Sequence, residues 1–167
     1  MNIVLTTDHT GIEKLKLLET YLTTLGHSCT NVGPQSLDPD DDYPDLIYPA
    51  AWALAKGEYD CGIIMGGSGQ GEAIVANRVK GIRCAVYYGP APIPEAIDVE
   101  GHTAEDAFEI IRLSRQHNNA NMLSLAARFL TQSDIEQAVK LWIDTPFTGL
   151  ERHVRRIVKI DDLADKA

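Results

Sequence analysis

The chain has 167 residues, 44% of them hydrophobic, which is enough apolar material for one globular domain with a sizeable core. Its formal net charge of −9 argues against a nucleic-acid partner, because binding to phosphate backbones needs a basic face. The three cysteines are odd in number and include no Cys-x-x-Cys pair, so neither a disulfide framework nor a thiolate zinc site is expected.

The predicted strands and helices alternate along most of the chain. In chain order they are a strand at 2–7, a helix at 12–25, a strand at 29–33, a helix at 43–56, a strand at 61–65, a helix at 72–79, a strand at 83–88, a helix at 104–115, a strand at 121–127, a helix at 133–144 and a basic helix at about 150–160. This alternation predicts a single α/β domain over 1–167, with a parallel sheet and helices on both faces.

The apolar runs are too short to span a bilayer, and no charged leader followed by an apolar segment precedes the first strand. We therefore expect a soluble protein of the cytoplasm without a membrane partner.

A glycine-rich loop follows the third predicted strand, in the stretch GGSGQGE. Gly66, Gly67, Gly69 and Gly71 leave backbone N–H groups free to point at an anion, with a helix N-terminus behind them. The loop lacks the lysine of a P-loop, and a dinucleotide fingerprint would follow the first strand. Two interpretations stay open, a cradle for an anionic or carbonyl oxygen and a tight strand-to-helix turn.

Acidic and histidine side chains follow two strands on the side where α/β sheets bind ligands. Asp8 and His9 end the first strand, and Glu72 begins the helix after the glycine loop. A carboxylate in a first helical turn is favoured by the helix dipole, so Glu72 is either structural or a base whose pKa needs burial to rise. Asp8 and His9 are equally compatible with a turn.

A basic cluster lies in the last helix, in the stretch LERHVRRIVK. Arg152 and Arg156 are four residues apart and share a helix face, which suits a phosphate clamp or a salt-bridged surface. Arg128 follows the fifth strand. His117 and Asn118 precede that strand, so we expect them at the opposite end of the sheet from Asp8, with a second copy of the chain bringing them to the glycine loop.

These groups together match the needs of aldose–ketose isomerisation of a sugar phosphate. A base removes the proton beside a carbonyl, fixed donors stabilise the enediolate oxygen, and the phosphate supplies binding energy away from the reacting carbons. This reaction requires no metal and no redox cofactor.

The sequence resembles the ribose-5-phosphate isomerase type B family, whose relatives include galactose-6-phosphate isomerase. The resemblance covers nearly the whole chain in family order and depends on these motifs: DHTG at 8–11, DYPD at 42–45, GGSGQGEAIVANR at 66–78, GIR at 81–83, SRQHNNAN at 114–121 and RHVRR at 152–156. It implies a Rossmann-like three-layer fold with a five-stranded parallel sheet, and a homodimer or homotetramer with shared active sites.

The resemblance also implies roles for individual residues. Asp8 and His117 would assist ring opening, with His117 as proton donor. The remaining assignments are Ser68, Gly67, Gly69, Gln70 and Gly71 for the reacting oxygens, Asn118 for a sugar hydroxyl or the enediolate, and His9, Arg128, Arg152 and Arg156 for the phosphate. Many members use a cysteine as base at the position of Gly66, whereas others use a glutamate at the position of Glu72. This sequence belongs to the second group.

One segment departs from the family pattern, a longer connection at about 89–112. It is either a proline-braced surface elaboration or a lid that changes the accepted sugar, with His102 as a candidate contact. Ribose 5-phosphate is the leading substrate, and a tetrose or hexose phosphate is the alternative. A non-catalytic sugar-phosphate or nucleotide sensor is a further alternative, but it needs no base, so the presence of Glu72 and His117 argues against it. A flavin or nicotinamide protein is disfavoured because the glycine motif follows the third strand and not the first.

Overall fold

The computed structural model describes residues 1–164, in which five strands alternate with six helices. Their bounds are β1 Asn2–Thr7, α1 Ile12–Thr24, β2 Ser28–Asn31, α2 Tyr43–Ala55, β3 Cys61–Gly66, α3 Gln70–Ala76, β4 Cys84–Tyr87, α4 Glu109–Gln116, β5 Met122–Ala126, α5 Gln132–Asp144 and α6 Glu151–Ala164. No helix in this part of the chain combines the length and the apolar character that crossing a membrane demands.

The five strands form one parallel sheet in the order β2-β1-β3-β5-β4. The chain leaves β1 toward β2 and then returns to the other side of β1 to form β3. The carboxyl ends of β1 and β3 therefore lie at the switch in strand order, where parallel sheets open a crevice for ligands.

Apolar side chains cover both faces of the sheet, which gives the predicted three-layer architecture. On one face Leu18, Ile111 and Val139, from α1, α4 and α5, pack with alternate residues of the strands. On the other face Ile47 of α2 and Ala76 of α3 pack against the intervening residues. Burial on both sides explains why β3 and β5 are buried along their whole length, as expected for central strands of a parallel sheet.

Three predicted helices differ from the structure by more than one residue at an end. The helix predicted at 72–79 spans Gln70–Ala76, because Gly69 adopts a left-handed conformation with φ of 72° and turns the chain into the helix earlier. The helix predicted at 104–115 begins only at Glu109, since Asp106 accepts the N–H of Phe108 in a turn before it. The final helix continues past its basic part to Ala164.

The predicted insertion at about 89–112 is mostly irregular, and its last four residues are the first turn of α4. The N–H of Ala91 donates to the carbonyl of Ala107 at 2.9 Å, which ties the beginning of the irregular part to its end. Tyr88 lies against Phe129 with 6.4 Å between ring centroids. The insertion therefore leaves the sheet beside the residues that follow β5.

Candidate active site

A pocket of about 500 Å³ opens at the carboxyl ends of β1 and β3. Its walls come from the turn after β1, the glycine loop, the start of α2 and the turn after β5. The residues that line it are Asp8, His9, Thr10, Tyr43, Gly67, Ser68, Gly71, Glu72, Arg128 and Phe129. Most of the residues predicted from the sequence as a catalytic and phosphate-binding group are thus brought together in one chain.

Glu72 occupies the space that a side chain at position 66 would need. Its carboxyl carbon and Oε1 each lie 2.0 Å from where a Cβ on Gly66 would be, and Oε2 lies 2.4 Å from it. Gly66 is the last residue of β3, so the absence of a side chain there lets the carboxylate lie over the strand end. A side chain at 66 and the observed position of Glu72 exclude each other.

Burial makes Glu72 a stronger base than an ordinary glutamate. The residue is 4% exposed, and this burial raises the pKa of its carboxyl above the ordinary value, with the negative charge of Asp8 acting in the same direction. The hydrogen bond from the backbone N–H of Glu72 itself, in the first turn of α3, opposes the shift, but burial outweighs it. The pKa of this carboxyl is therefore shifted in the direction that favours general base catalysis.

The carbonyl groups of the glycine loop are held by the strand and turn beside it. Gly66 O accepts from Ala127 N at 2.9 Å, Gly67 O accepts from Arg128 N at 3.1 Å, and Gly69 O accepts from the Ser124 hydroxyl at 2.7 Å. The N–H groups of Gly67, Ser68 and Gly69 have no acceptor among residues 1–164. They are available to stabilise an oxyanion, which supports the first of the two interpretations of this loop.

Asp8 is held rigidly at the end of β1. Its Oδ1 accepts the N–H of Thr10 at 2.8 Å and the Thr10 hydroxyl at 2.5 Å, and the residue is 6% exposed. These bonds orient the carboxylate toward the pocket that Glu72 also lines.

His9 pairs with Asp41, a residue from the loop before α2. The backbone N–H of His9 donates to Asp41 Oδ2 at 2.8 Å, and the ring Nδ1 of His9 lies 2.7 Å from Asp41 Oδ1. The hydrogen bond with this carboxylate raises the pKa of His9, which favours the imidazolium form. His9 and the Arg128 guanidinium line the same pocket and are donors suited to an anionic group.

Lys14 fixes the turn that carries Arg128. Its ammonium donates to the carbonyl of Ala127 at 2.6 Å and also to the carbonyl of Leu130. The turn is thereby anchored to α1, while the Arg128 side chain remains exposed at the pocket.

His117 and Asn118 lie at the other end of the sheet, before β5, as expected. His117 caps the carboxyl end of α4, and its ring lies 4.3 Å from the ring of His153. The carbonyls of Asn118 and Asn119 accept from Arg83 Nε at 3.1 and 3.0 Å. This guanidinium holds the turn in which Asn119 has a φ of 45°, and it leaves the Asn118 side chain exposed.

His153 lies between Arg152 and His117 and contacts both. The Thr148 hydroxyl donates to Gln116 O at 2.7 Å, so it accepts from His153 Nδ1 at 3.0 Å. His153 Nε2 then accepts from Arg152 Nε at 3.3 Å. His153 is neutral in this arrangement, and its burial, with the neighbouring positive charges, lowers its pKa accordingly. Arg156, one turn further along α6, is exposed.

The predicted site residues therefore form two groups within a chain. The five residues of β5, at about 3.3 Å each, separate the His117 end from the Arg128 end by roughly 16 Å. A pentose phosphate lying against Glu72 cannot reach His117 of the same chain across this distance. Gln70 belongs to neither group and is exposed in a separate groove beside β4.

Some site residues were not singled out from the sequence. Asp41 lies between the predicted strand at 29–33 and the predicted helix at 43–56, and Tyr43 entered only as part of the DYPD motif. The Tyr43 ring fills the space above Gly71, where an added Cβ would lie 2.7 Å from its Cζ. His153 was noted only as a neighbour of the two arginines. Only tertiary contacts reveal these roles, although the aspartate run before the helix was a usable signal for Asp41.

One group of potential metal ligands lies at the pocket, formed by Asp8, His9 and Asp41, whose ligand atoms are within 4.8 Å of one another. The Asp41 carboxylate already makes both bonds to His9, and Asp8 is bonded to Thr10. Hydrogen bonding therefore accounts for the positions of these three side chains.

A buried carboxylate, main-chain N–H groups without an acceptor in the described part of the chain and an arginine at one pocket suit an enzyme that moves a proton next to a carbonyl group. Comparisons with known proteins agree. A family model described as Ribose/Galactose Isomerase matches residues 3–91 and 101–160, and the unmatched residues between lie inside the predicted insertion. The chain belongs to this ribose/galactose isomerase family, whose members are aldose–ketose isomerases.

Individual relatives extend the match over almost the whole chain. Ribose-5-phosphate isomerase B of Mycolicibacterium paratuberculosis is 33% identical over 157 residues, covering 94% of this chain and 87% of the relative. The probable ribose-5-phosphate isomerase B of Mycoplasma genitalium is 36% identical over 160 residues, covering 95% and 93%. The crystal structure of the Mycoplasma genitalium enzyme with bound ribulose 5-phosphate superposes with a TM-score of 0.85 at 32% identity, covering 99% of this chain and 97% of that one.

Proposed function

We propose that this protein interconverts ribose 5-phosphate and ribulose 5-phosphate, with Glu72 as the base. The similar enzymes named above support this substrate, and one bears ribulose 5-phosphate in its crystal structure. The observation that carries the proposal is the buried Glu72 carboxylate, which lies in the side-chain space of Gly66 and faces the pocket. The alternative of a non-catalytic sensor gives no reason for a carboxylate held there at the cost of its burial.

The reaction proceeds by transfer of one proton between neighbouring carbons. Glu72 takes the proton from C2, the electrons of the C–H bond form the C1–C2 double bond, and the carbonyl electrons move onto O1. The N–H groups of Gly67 and Ser68, with the Ser68 hydroxyl, stabilise the resulting enediolate. Glu72 then returns the proton to C1, and the proton of the C2 hydroxyl passes to O1 as the C2 carbonyl forms, which gives the ketose.

Ring opening and phosphate binding use the remaining residues. Asp8 and His117 move the protons that open the furanose ring, with His117 as the donor to the ring oxygen, and Asn118 binds a sugar hydroxyl. His9 and Arg128 bind the phosphate from one chain, and Arg152 and Arg156 from another. Such charge-assisted contacts supply binding energy away from the reacting carbons.

The active site is shared between two copies of the chain, so the working enzyme is at least a homodimer. The separation along β5 supports this, because Glu72 and His117 of one chain lie at opposite ends of the sheet. We place this enzyme in the cytoplasm, since ionised sugar phosphates do not cross a lipid bilayer unaided.

Subunit mixing tests the shared site. Glu72→Gln and His117→Ala are each expected to be nearly inactive alone. A mixed dimer has one site with both residues intact, so random mixing after unfolding and refolding is expected to restore about a quarter of wild-type activity. The measurement is turnover of ribose 5-phosphate by the mixed sample, with each variant refolded alone as the control. A mixture as inactive as its components would place both residues in one chain's site.

A tetrose or hexose phosphate is the alternative substrate. The observation behind it is the insertion, whose Glu100 contacts Arg152 at the proposed phosphate end. A turnover panel of ribose 5-phosphate, erythrose 4-phosphate, allose 6-phosphate and galactose 6-phosphate decides the question. We expect the highest kcat/KM with ribose 5-phosphate, and a higher value for a tetrose or hexose phosphate would replace it as the substrate.

A further inference from the structure

The insertion places a carboxylate on one of the proposed phosphate-binding arginines. Arg152 Nη1 donates to Glu100 Oε1 at 2.9 Å, and Nη2 donates to Glu100 Oε2 at 3.3 Å. Both ends of the guanidinium fork are therefore engaged, while its Nε donates to His153. This is the paired geometry with which arginine also binds two oxygens of a phosphate group.

The segment that carries Glu100 is a turn built by its own hydrogen bonds. Asp98 Oδ1 accepts the N–H groups of Glu100 and His102 at 3.1 and 3.0 Å, and its Oδ2 lies 2.5 Å from His102 Nδ1. The N–H of Ile97 donates to His102 O at 2.8 Å, and Gly101 provides a left-handed residue with φ of 87°. The turn thus presents Glu100 at a defined position instead of leaving it on an unstructured loop.

We propose that Glu100 competes with the substrate phosphate for Arg152, which makes it a determinant of phosphate affinity at this site. The inference rests on the proposed function in taking Arg152 as a phosphate ligand. A phosphate that binds the same edge of the guanidinium has to displace the carboxylate. The insertion therefore lowers affinity for phosphorylated ligands and releases Arg152 when one binds.

The exposure of the ion pair suits a reversible contact. The side chains of Arg152 and Glu100 are 33% and 45% exposed, and ion pairs at such positions contribute little to stability. A phosphate dianion carries more charge than a carboxylate and gains further contacts from Arg156 in the same site. Displacement is therefore favourable, and its effect on affinity is modest.

The test compares wild type, Glu100→Gln and Glu95→Gln, the last of which removes an exposed carboxylate elsewhere in the insertion. Inorganic phosphate is titrated by calorimetry, and kcat and KM are measured with ribose 5-phosphate. Glu100→Gln is expected to lower the Kd for phosphate and the KM roughly two- to fivefold without changing kcat, while Glu95→Gln changes neither. In an Arg152→Ala background the effect of Glu100→Gln disappears.

Unchanged phosphate affinity in Glu100→Gln overturns the competition. Weaker phosphate binding also overturns it, because Glu100 would then hold Arg152 in its binding position. An equal gain in the Arg152→Ala background shows that the charge acts on something else. Calorimetry needs no turnover, so tighter phosphate binding in a protein that fails to isomerise ribose 5-phosphate leaves the competition standing while the proposed substrate fails.

Discussion

Replacing Glu72 by glutamine is expected to reduce isomerisation by about 10²- to 10⁴-fold, the usual contribution of general base catalysis. The amide keeps the shape of the side chain but cannot accept the proton from C2. Solvent-deuterium incorporation at C2 is the direct measurement and is expected to be lost with turnover. The Kd for ribose 5-phosphate is expected to stay close to that of wild type. Unchanged exchange would remove Glu72 from the mechanism.

The same variant has a second expected effect, on stability. Since the folded state raises the pKa of Glu72, folding becomes less favourable as the pH rises through that raised pKa and the buried carboxyl ionises. Glutamine avoids this cost, so Glu72→Gln is expected to have a higher Tm than wild type at pH 7. The difference is expected to shrink as the pH falls below the ordinary carboxyl pKa of 4.5. An equal or lower Tm at pH 7 would show that burying the ionised Glu72 carboxyl does not destabilise the folded state.

Gly66→Ala is expected to reduce kcat by about a hundredfold or more, because a misplacement of about 1 Å is enough for such a loss. The new Cβ would lie 2.0 Å from the Glu72 carboxyl carbon, so the carboxylate has to move away. The measurements are kcat and thermal unfolding. Gly67→Ala is the matched control, because its Cβ meets the nearest Arg128 atoms at 3.5 to 3.6 Å, an ordinary contact, and a much smaller loss is expected.

A double-mutant cycle shows whether the loss in Gly66→Ala acts through Glu72. In a Glu72→Ala background, Gly66→Ala is expected to have no further effect. Gly66→Cys combined with Glu72→Ala is expected to regain part of the activity, since the resemblance described above implies a cysteine base at this position in many members. Equal losses from Gly66→Ala with and without Glu72 would show that the methyl group damages the loop itself.

The steric overlap gives a physical reason for the division of the family that the sequence resemblance implies. A cysteine at position 66 and a glutamate at 72 that lies over the strand end need the same space. A chain with this backbone can therefore carry a cysteine base at position 66 or a glutamate base at position 72, but not both in the observed arrangement.

The order of strands and helices could be predicted from the sequence because apolar periodicity reports burial directly. The positions of Asp8 and Glu72 at one end of the sheet followed from parallel topology, and the placement of His117 at the other end followed from the same rule. The start of α4 could not be predicted, since the bond from Phe108 to Asp106 depends on a turn with no periodic signal.

Contacts between distant segments were also beyond the sequence. The pairing of His9 with Asp41 joins residues 32 positions apart, and that of Arg152 with Glu100 joins residues 52 apart. Charge and spacing identify the arginine but not its partner. The reason for a glycine at position 66 is the location of the Glu72 carboxylate, which the sequence does not reveal.

The strand β5 has one consequence for how this enzyme can change its substrate. Its two ends carry His117 on one side and Arg128 on the other, at a spacing that hydrogen bonds to both neighbouring strands hold constant. Adding or removing one residue within it would turn every following side chain to the opposite face of the sheet. We therefore expect a larger or smaller sugar to be accommodated by a change in a surface connection, such as the predicted insertion at about 89–112, while the central scaffold keeps its dimensions.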